Sequence, residues 1–446
     1  MSLFRKRKIT TFQMIAILYF LAVGISTLLL SLPIGHKKGV DLSFVDILFT
    51  AVSALSVTGL SVINISESFN MIGILIMTLI FQIGALGVMA IGTFIWIVTK
   101  QKIGLRERQL MMADQNRNVL AGMVHFIKEI FLILISIELA GTIILGIYFL
   151  RFYPSIPEAF YHSFFVAVSA TTNAGFDLTG ESLIPFAHDY FVQSVTILLM
   201  LSGAIGFPVL VEIKKWFRSK NKRFQFSLYT KVTTITYFAL FLIGVLFILL
   251  LEWNRFFADK NWHEALFFSL FQSTTARSAG FTTMDMNHFS DSTLMLISLL
   301  MFIGASPSSA GGGIRTTTLA LILIGTYAYA RGRATVKMFK REIYHEDITK
   351  AYSVVTVAVL LVVISFFMLS ISEELPLIAI FFEVCSAFGT TGASLGITPD
   401  FSTFGKFVLM LLMFIGRIGI VSFLFMIRKE KEVERYHYAK EHIIIG

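Results

Sequence analysis

The sequence predicts an all-α membrane protein made of four tandem span–pore-loop–span repeats around one pseudo-fourfold central pore. Two observations lead there: an apolar composition, and a short glycine-ended pattern that recurs four times. Of 446 residues, 56% are hydrophobic and 15% charged, with 45 Phe, and the mean hydropathy is +0.77. Soluble domains do not carry so much apolar surface with so little charge.

Seven runs are long enough to cross a hydrocarbon core: 11–31, 70–98, 124–149, 190–213, 230–252, 352–372 and 404–427. An eighth region, 291–329, is nearly twice a normal span and is interrupted in its middle. The first run is too long for a cleaved signal peptide and no small-residue cleavage site follows it. The single cysteine, Cys385, sits within an apolar run, as a small buried residue does.

Between the spans lie shorter apolar segments that end in small residues. "PLIAIFFEVCSAF" (376–388) reaches only about 20 Å as a helix and runs into "SAFGTTG" (386–392). Three other segments look like it: "SALSVTG" (53–59), "SATTNAG" (169–175) and "TTARSAG" (274–280). Their final glycines, Gly59, Gly175, Gly280 and Gly392, recur at intervals of 105–116 residues. Each follows a short apolar run and is followed, 24 to 28 residues later, by another glycine, in "FQIGALG", "LLMLSGAIG", "MFIGASP" and "MFIGRIG". The chain therefore divides into repeat 1 (1–100), repeat 2 (101–222), repeat 3 (223–335, second span interrupted), repeat 4 (336–428) and a cytoplasmic tail (429–446).

Non-helical backbone at membrane depth leaves carbonyls unpaired unless they line a water-filled path or coordinate something. Four equivalent loops about one axis would turn a ring of carbonyls inward, a site for a hard, weakly hydrated monovalent cation such as K⁺. Glycine adopts φ > 0 without strain and allows close approach to the ion. The half-spans before the loops would be pore helices, their partially negative C-terminal ends aimed at the path.

Charge distribution sets the topology. Most of the 37 Lys+Arg fall in the chain ends and the linkers near 99–122, 214–229 and 330–351. Lys37, Lys38, Arg151, Arg255, Lys260 and Lys406 lie on the other side, and Arg277, Arg315 and Arg417 fall inside apolar regions. This bias makes the chain a multi-pass protein of the cell membrane with both termini cytoplasmic. "FRKRK", "KKWFRSKNKR" and "RGRATVKMFKR" are thus topology signals and contacts for membrane lipid, not nucleic-acid sites. No metal-ligand spacing, nucleophile elbow, dinucleotide fingerprint or paired acids in a polar cleft is present, so the chain does not read as an enzyme.

The fourfold plan, one glycine per pore loop and "MFIGRIG" in the last repeat resemble the Ktr/Trk/HKT superfamily of K⁺ uptake proteins, most closely its KtrB-type membrane subunits. The resemblance covers about 11–428. It implies that Gly59, Gly175, Gly280 and Gly392 bind K⁺ through their backbone as filter glycines. Val57-Thr58, Asn173-Ala174, Ser278-Ala279 and Thr390-Thr391 would supply the other carbonyls. Plant relatives with serine at the first position favour Na⁺; this chain has Gly59. The four flanking pairs differ, so an asymmetric filter is expected.

The interrupted region reads "LLMFIGASPSSAGGGIRTTTLALILIGTYAYA". Helix propensity collapses at Ser306-Pro307 and again at Gly311-Gly312-Gly313. The segment lacks the Gly-Lys-Ser/Thr ending of a phosphate loop. In the family, the matching segment is an intramembrane loop that obstructs the pore below the filter and acts as a gate, here centred on 305–315. Arg417, mid-span, needs an ion pair, a place as a cation barrier, or carbonyl partners. The resemblance favours a position beside the loop. Arg277 is expected to point behind the filter and pair with an acid, Glu138 or Glu383.

The resemblance also implies a homodimer, regulated by a cytosolic nucleotide-binding RCK/KTN ring. K⁺ would be the transported ion, with no organic cofactor in this chain. The apolar tail end "HIIIG" suggests an interface. The alternative is a cation-coupled secondary symporter or a Na⁺-permeable relative; symporter folds often show inverted repeats, whereas these four run parallel.

Overall fold

The computed structural model describes residues 10–87, 122–219 and 224–427, with 112 and scattered positions of 438–444. Most of the linker 99–122 and most of the tail lie outside the described residues; of the expected interface at its end only Ile443 and Ile444 are described, both exposed.

Each repeat opens with an outer span: Thr11–Leu30, Met123–Phe149, Leu228–Glu252 and His345–Ser372. These four helices are long and apolar enough to cross a membrane. A half-helix follows in each: Phe44–Ser56, Ile156–Thr172, Trp262–Thr275 and Leu377–Gly389. The inner spans then begin at Met71–Leu86, Tyr190–Ala204, Asp291–Ile303 and Thr403–Ile418. Their start signals repeat as well. Asn70, Asp189, Ser290 and Ser402 each cap the first turn with a side-chain oxygen.

The outer spans match the sequence expectation to within a few residues at most starts, but the inner spans do not run straight. In repeat 2 the chain turns by 105° between Tyr190–Ala204 and Phe207–Arg218, and in repeat 4 by 101° between Thr403–Ile418 and the short helix Ile420–Ile427. The hinges are Gly206 (φ 104°) and Gly419 (φ 86°); in repeat 1 the helix ends at Gly87 (φ 89°). A left-handed glycine ends a helix without Cβ strain. Repeat 3 carries Pro307 at the matching place, and its inner span stops at Ile303 and resumes as Thr316–Ala330. A two-residue hairpin, Lys337–Met338 with Arg341–Glu342, precedes the last outer span.

The repeats close on themselves. Each inner span packs on the half-helix of the next repeat: 1 on 2, 2 on 3, 3 on 4, and 4 back on 1. In repeats 1, 2 and 4 the second glycine of the pattern explains the closeness within a repeat. A Cβ on Gly84, Gly203 or Gly416 would overlap the carbonyl oxygen of Leu55, Thr171 or Phe388, near the end of the repeat's own half-helix. Gly203→Ala should therefore cost about 1–3 kcal/mol by overpacking. Gly24→Ala, with nothing within 4 Å, should be neutral or slightly stabilising. Melting curves in detergent compare the two; equal curves would remove close packing from the account.

Candidate functional site: a four-loop ring and the loop beneath it

A left-handed residue lies two positions before each glycine: Val57 (φ 58°), Asn173 (58°) and Thr390 (47°) directly at the end of their half-helices, and Ser278 (70°) three residues past the end of its own. The next N–H turns back into the half-helix. Thr58 bonds the Ser53 carbonyl (2.8 Å), Ala174 that of Ser169 (2.8 Å), Ala279 that of Thr275 (3.0 Å) and Thr391 that of Ser386 (2.9 Å). In repeats 1 and 4 the glycine N–H also turns back, to Ser53 Oγ and Ser386 Oγ, both at 3.1 Å. In a trans peptide the C=O points opposite the N–H. The carbonyls of Val57, Thr58, Asn173, Ser278, Thr390 and Thr391 therefore face away from their own half-helices.

They face one another's loops. A Cβ on Gly59 would meet the Ala174 oxygen, one on Gly175 the Ala279 oxygen, one on Gly280 the Thr391 oxygen, and one on Gly392 the Thr58 oxygen. The contacts run 1 to 2 to 3 to 4 to 1, so the four glycines, all at φ 71–91°, form one closed ring. Gly59, Gly175 and Gly392 are half-buried, whereas Thr58, Asn173, Ala174 and Thr391 are fully buried. All twelve residues singled out from the sequence meet at this ring. The serines behind it, Ser53, Ser169 and Ser386, were missed, although each opens its quoted segment. Ser169 Oγ bonds the Phe176 carbonyl (2.8 Å).

Directly beneath lies the interrupted stretch of repeat 3. Gly312 N–H donates to Ser278 Oγ (3.2 Å), which donates to the Gly389 carbonyl (2.6 Å). A Cβ on Gly312 would lie 2.7 Å from Thr390 Cγ2. The glycine run thus presses against the left-handed residues of repeats 3 and 4, and only glycine is thin enough to do so. From the other side, Ser306 and Ala310 N–H bond the Ala204 and Gly203 carbonyls (both 3.1 Å), and Phe207 N–H bonds the Ser308 carbonyl (2.7 Å). Tyr229 Oη donates to the Pro307 carbonyl at 2.5 Å.

The arginines are backbone ligands. Arg417 donates to the Ala310 carbonyl in the loop, and to those of Gly84 and Ala85 (2.9 Å to the latter), where the inner span of repeat 1 ends. Arg315 donates to Gly311 and Ser306 carbonyls. The expected acid partner of Arg277 is a different group altogether: Nε donates to the Gly304 carbonyl (3.0 Å), Nη1 to the Tyr237 carbonyl (3.3 Å), and the guanidinium sits 4.3 Å from the Tyr237 ring centroid. Glu138 accepts from Gln82 (3.0 Å), and Glu383 from Ser394 and Thr398. Backbone carbonyls, not carboxylates, hold the buried guanidinium: that of Gly304, where the inner span of repeat 3 stops, and that of Tyr237 within the outer span.

A ring of re-entrant loops at the centre of a membrane-spanning bundle defines a transport protein of the pore-loop class. The family model described as TrkH, cation transport protein, matches residues 5–437, and the chain belongs to that family. It is 54% identical over 434 residues to the Ktr system potassium uptake protein D of Bacillus subtilis, covering 97% of each chain. It is 38% identical to the Ktr system potassium uptake protein B of the same organism, covering 94% of this chain and 93% of that one. The crystal structure of the potassium transporter TrkH from Vibrio parahaemolyticus matches with a TM-score of 0.74 at 19% identity, over 96% of this chain and 86% of that one; at that identity the likeness speaks to the fold. The family is one of transporters, not enzymes.

Arg277→Lys should lower stability by about 1–3 kcal/mol, because an ammonium cannot reproduce the fork that reaches the Gly304 and Tyr237 carbonyls together and so loses at least one buried charge-assisted bond. Thermal melting of the purified protein checks this. An unchanged curve would mean that neither carbonyl depends on the guanidinium.

Proposed function

We propose that the chain is the pore-forming subunit of a regulated K⁺ uptake system, with repeats divided at about residues 100, 222, 335 and 428. The observation that carries this reading is the closed ring of four glycine loops whose peptide carbonyls turn away from their half-helices. Neutral oxygens in a ring replace the hydration shell of a weakly hydrated monovalent cation, and four converging helix C-termini add negative potential. Val57, Thr58, Gly59 and their counterparts around 173–175, 278–280 and 390–392 form the filter. The relatives' names, both potassium uptake proteins, support K⁺ as the ion.

In this reading the 305–315 loop is the gate. It occupies the path below the ring, is held by Arg417 and Tyr229, and carries the positive charge of Arg315 and Arg417 close to the ion's exit. A cytosolic nucleotide-binding ring acting on a homodimer in the cell membrane, with cytoplasmic termini, completes the proposal. Flux into liposomes with K⁺ against Na⁺, with and without an imposed potential, is the central experiment. K⁺ flux that follows the potential supports a pore. Flux that requires a second ion favours a coupled symporter.

Gly392→Ser should weaken K⁺ over Na⁺ preference, because the new side chain would occupy the place of the Thr58 carbonyl. An unchanged flux ratio would count against the filter assignment. Deleting Gly311–Gly313 should instead raise flux without altering preference. Each 1.4 kcal/mol removed from a limiting barrier gives about tenfold in rate. Arg417→Ala should act in the same direction and add little to the deletion, since both release one element. A deletion that lowers flux would make the loop a support for the ring.

A further inference from the structure

Where Phe207–Arg218 meets the start of Leu228–Glu252, residues of both helices and of the hairpin tip line a half-open cavity of about 890 Å³. Lys215, Lys231, Lys340 and Arg341 line it, against one carboxylate, Glu212. That carboxylate is engaged: its Oε2 accepts the Ser227 N–H at 3.1 Å. None of the four cationic groups has an ion-pair partner among the described residues. Ser227 and Leu228 also line the cavity, and they bring the positive end of a helix dipole to it.

The hairpin tip is a second, independent signal. Lys337 pairs with Glu342 and Met338 with Arg341, leaving a two-residue turn at Phe339 (φ 49°) and Lys340 (φ 64°). A turn with both central residues left-handed normally takes Asn or Gly. Phe and Lys are strained there, and strain at an exposed position points to a function for the side chains it displays. Both line the cavity, with Lys231 Nζ 5.9 Å from the Phe339 ring centroid.

The surroundings place this basic cavity at a membrane surface. Phe207–Arg218 leaves its span at 105°, close to the membrane plane, and exposes Trp216 and Phe217 at its end. Exposed aromatics beside lysines are the composition of a lipid interface. Phe224 and Phe226 continue the apolar wall.

We propose that this cavity binds the phosphodiester headgroup of an anionic phospholipid, with the lysines and Arg341 on the phosphate and the aromatic rings against the glycerol and upper acyl chain. The site is independent of the filter and gate assignments. It adjoins them through Tyr229, which shares the first turn of the outer span with the cavity and holds the Pro307 carbonyl.

Native mass spectrometry of the full chain in detergent, titrated with phosphatidylglycerol or phosphatidylcholine, tests it. Phosphatidylglycerol should bind preferentially, and the double variant Lys231→Gln/Lys340→Gln should weaken it by about 10–30-fold. Lys350→Gln, a basic residue outside the cavity, should leave it unchanged. Lys340→Glu, at the exposed tip, repeats the test with one surface change should the double variant melt early. Equal binding of the two lipids, or unchanged affinity in both cavity variants, would overturn the proposal. Displacement of the lipid by inorganic phosphate at millimolar concentration would assign the cavity to a soluble phosphate and overturn the lipid source.

Discussion

Helix ends inside hydrocarbon leave carbonyls that no water can reach, and each needs a donor from the protein. The inner spans of this chain end at one matching place, and in repeats 1 to 3 their last carbonyls are met by donors from elsewhere in the chain. In repeat 1 the carbonyls of Gly84 and Ala85 take the Arg417 guanidinium. In repeat 2 those of Gly203 and Ala204 take the N–H groups of Ala310 and Ser306. In repeat 3 the carbonyl of Gly304 takes Arg277. The central loop and both arginines are therefore parts of one solution. Remove a donor, and an orphan acceptor remains at membrane depth.

The ring above depends on the opposite arrangement. There the N–H groups are satisfied inward, by Ser53, Ser169, Thr275 and Ser386 of the half-helices, and planar peptides leave the carbonyls facing out. The carbonyls turned out of the half-helices are therefore left without a partner from their own repeat. Repeats 1 and 4 secure the geometry most fully, because a serine hydroxyl also holds the glycine N–H. Repeat 3 is the least regular, ending its half-helix at Thr275 and passing through Arg277 before the left-handed turn.

Spans, half-spans, the ring glycines and the broken third repeat were all legible in the sequence, because each rests on local rules: run length, glycine position and helix propensity. The second glycines were visible as a pattern, but their reason was not. Gly84, Gly203 and Gly416 matter for what they touch in three dimensions. Partner identity was equally hidden. Periodicity places Arg277 in the membrane, yet whether it meets Glu138, Glu383 or a carbonyl depends on which helix breaks beside it. The bends at Gly206 and Gly419 escaped notice because the sequence stays apolar across them, and hydropathy measures solvent preference, not direction.

One substitution accounts for the difference between repeat 3 and the others. The patterns "GALG", "GAIG" and "GRIG" end in glycines that adopt φ of 86–104° and let the chain turn. The third pattern, "GASP", ends in Pro307, whose ring fixes φ near −65° and forbids that turn. The reversal moves three residues earlier, to Gly304 (φ 70°), and the chain then needs Ser308, Gly313 and Arg315 at positive φ before helix can resume. The extra length lies beneath the ring, where its Ser306 and Ala310 N–H groups meet the Ala204 and Gly203 carbonyls of repeat 2 and its Ala310 carbonyl takes the Arg417 guanidinium. Three repeats keep the glycine at this place, and the third alone carries the inserted stretch between its two helices. In this chain a single proline at an otherwise glycine position gives one repeat that difference while leaving the ring intact.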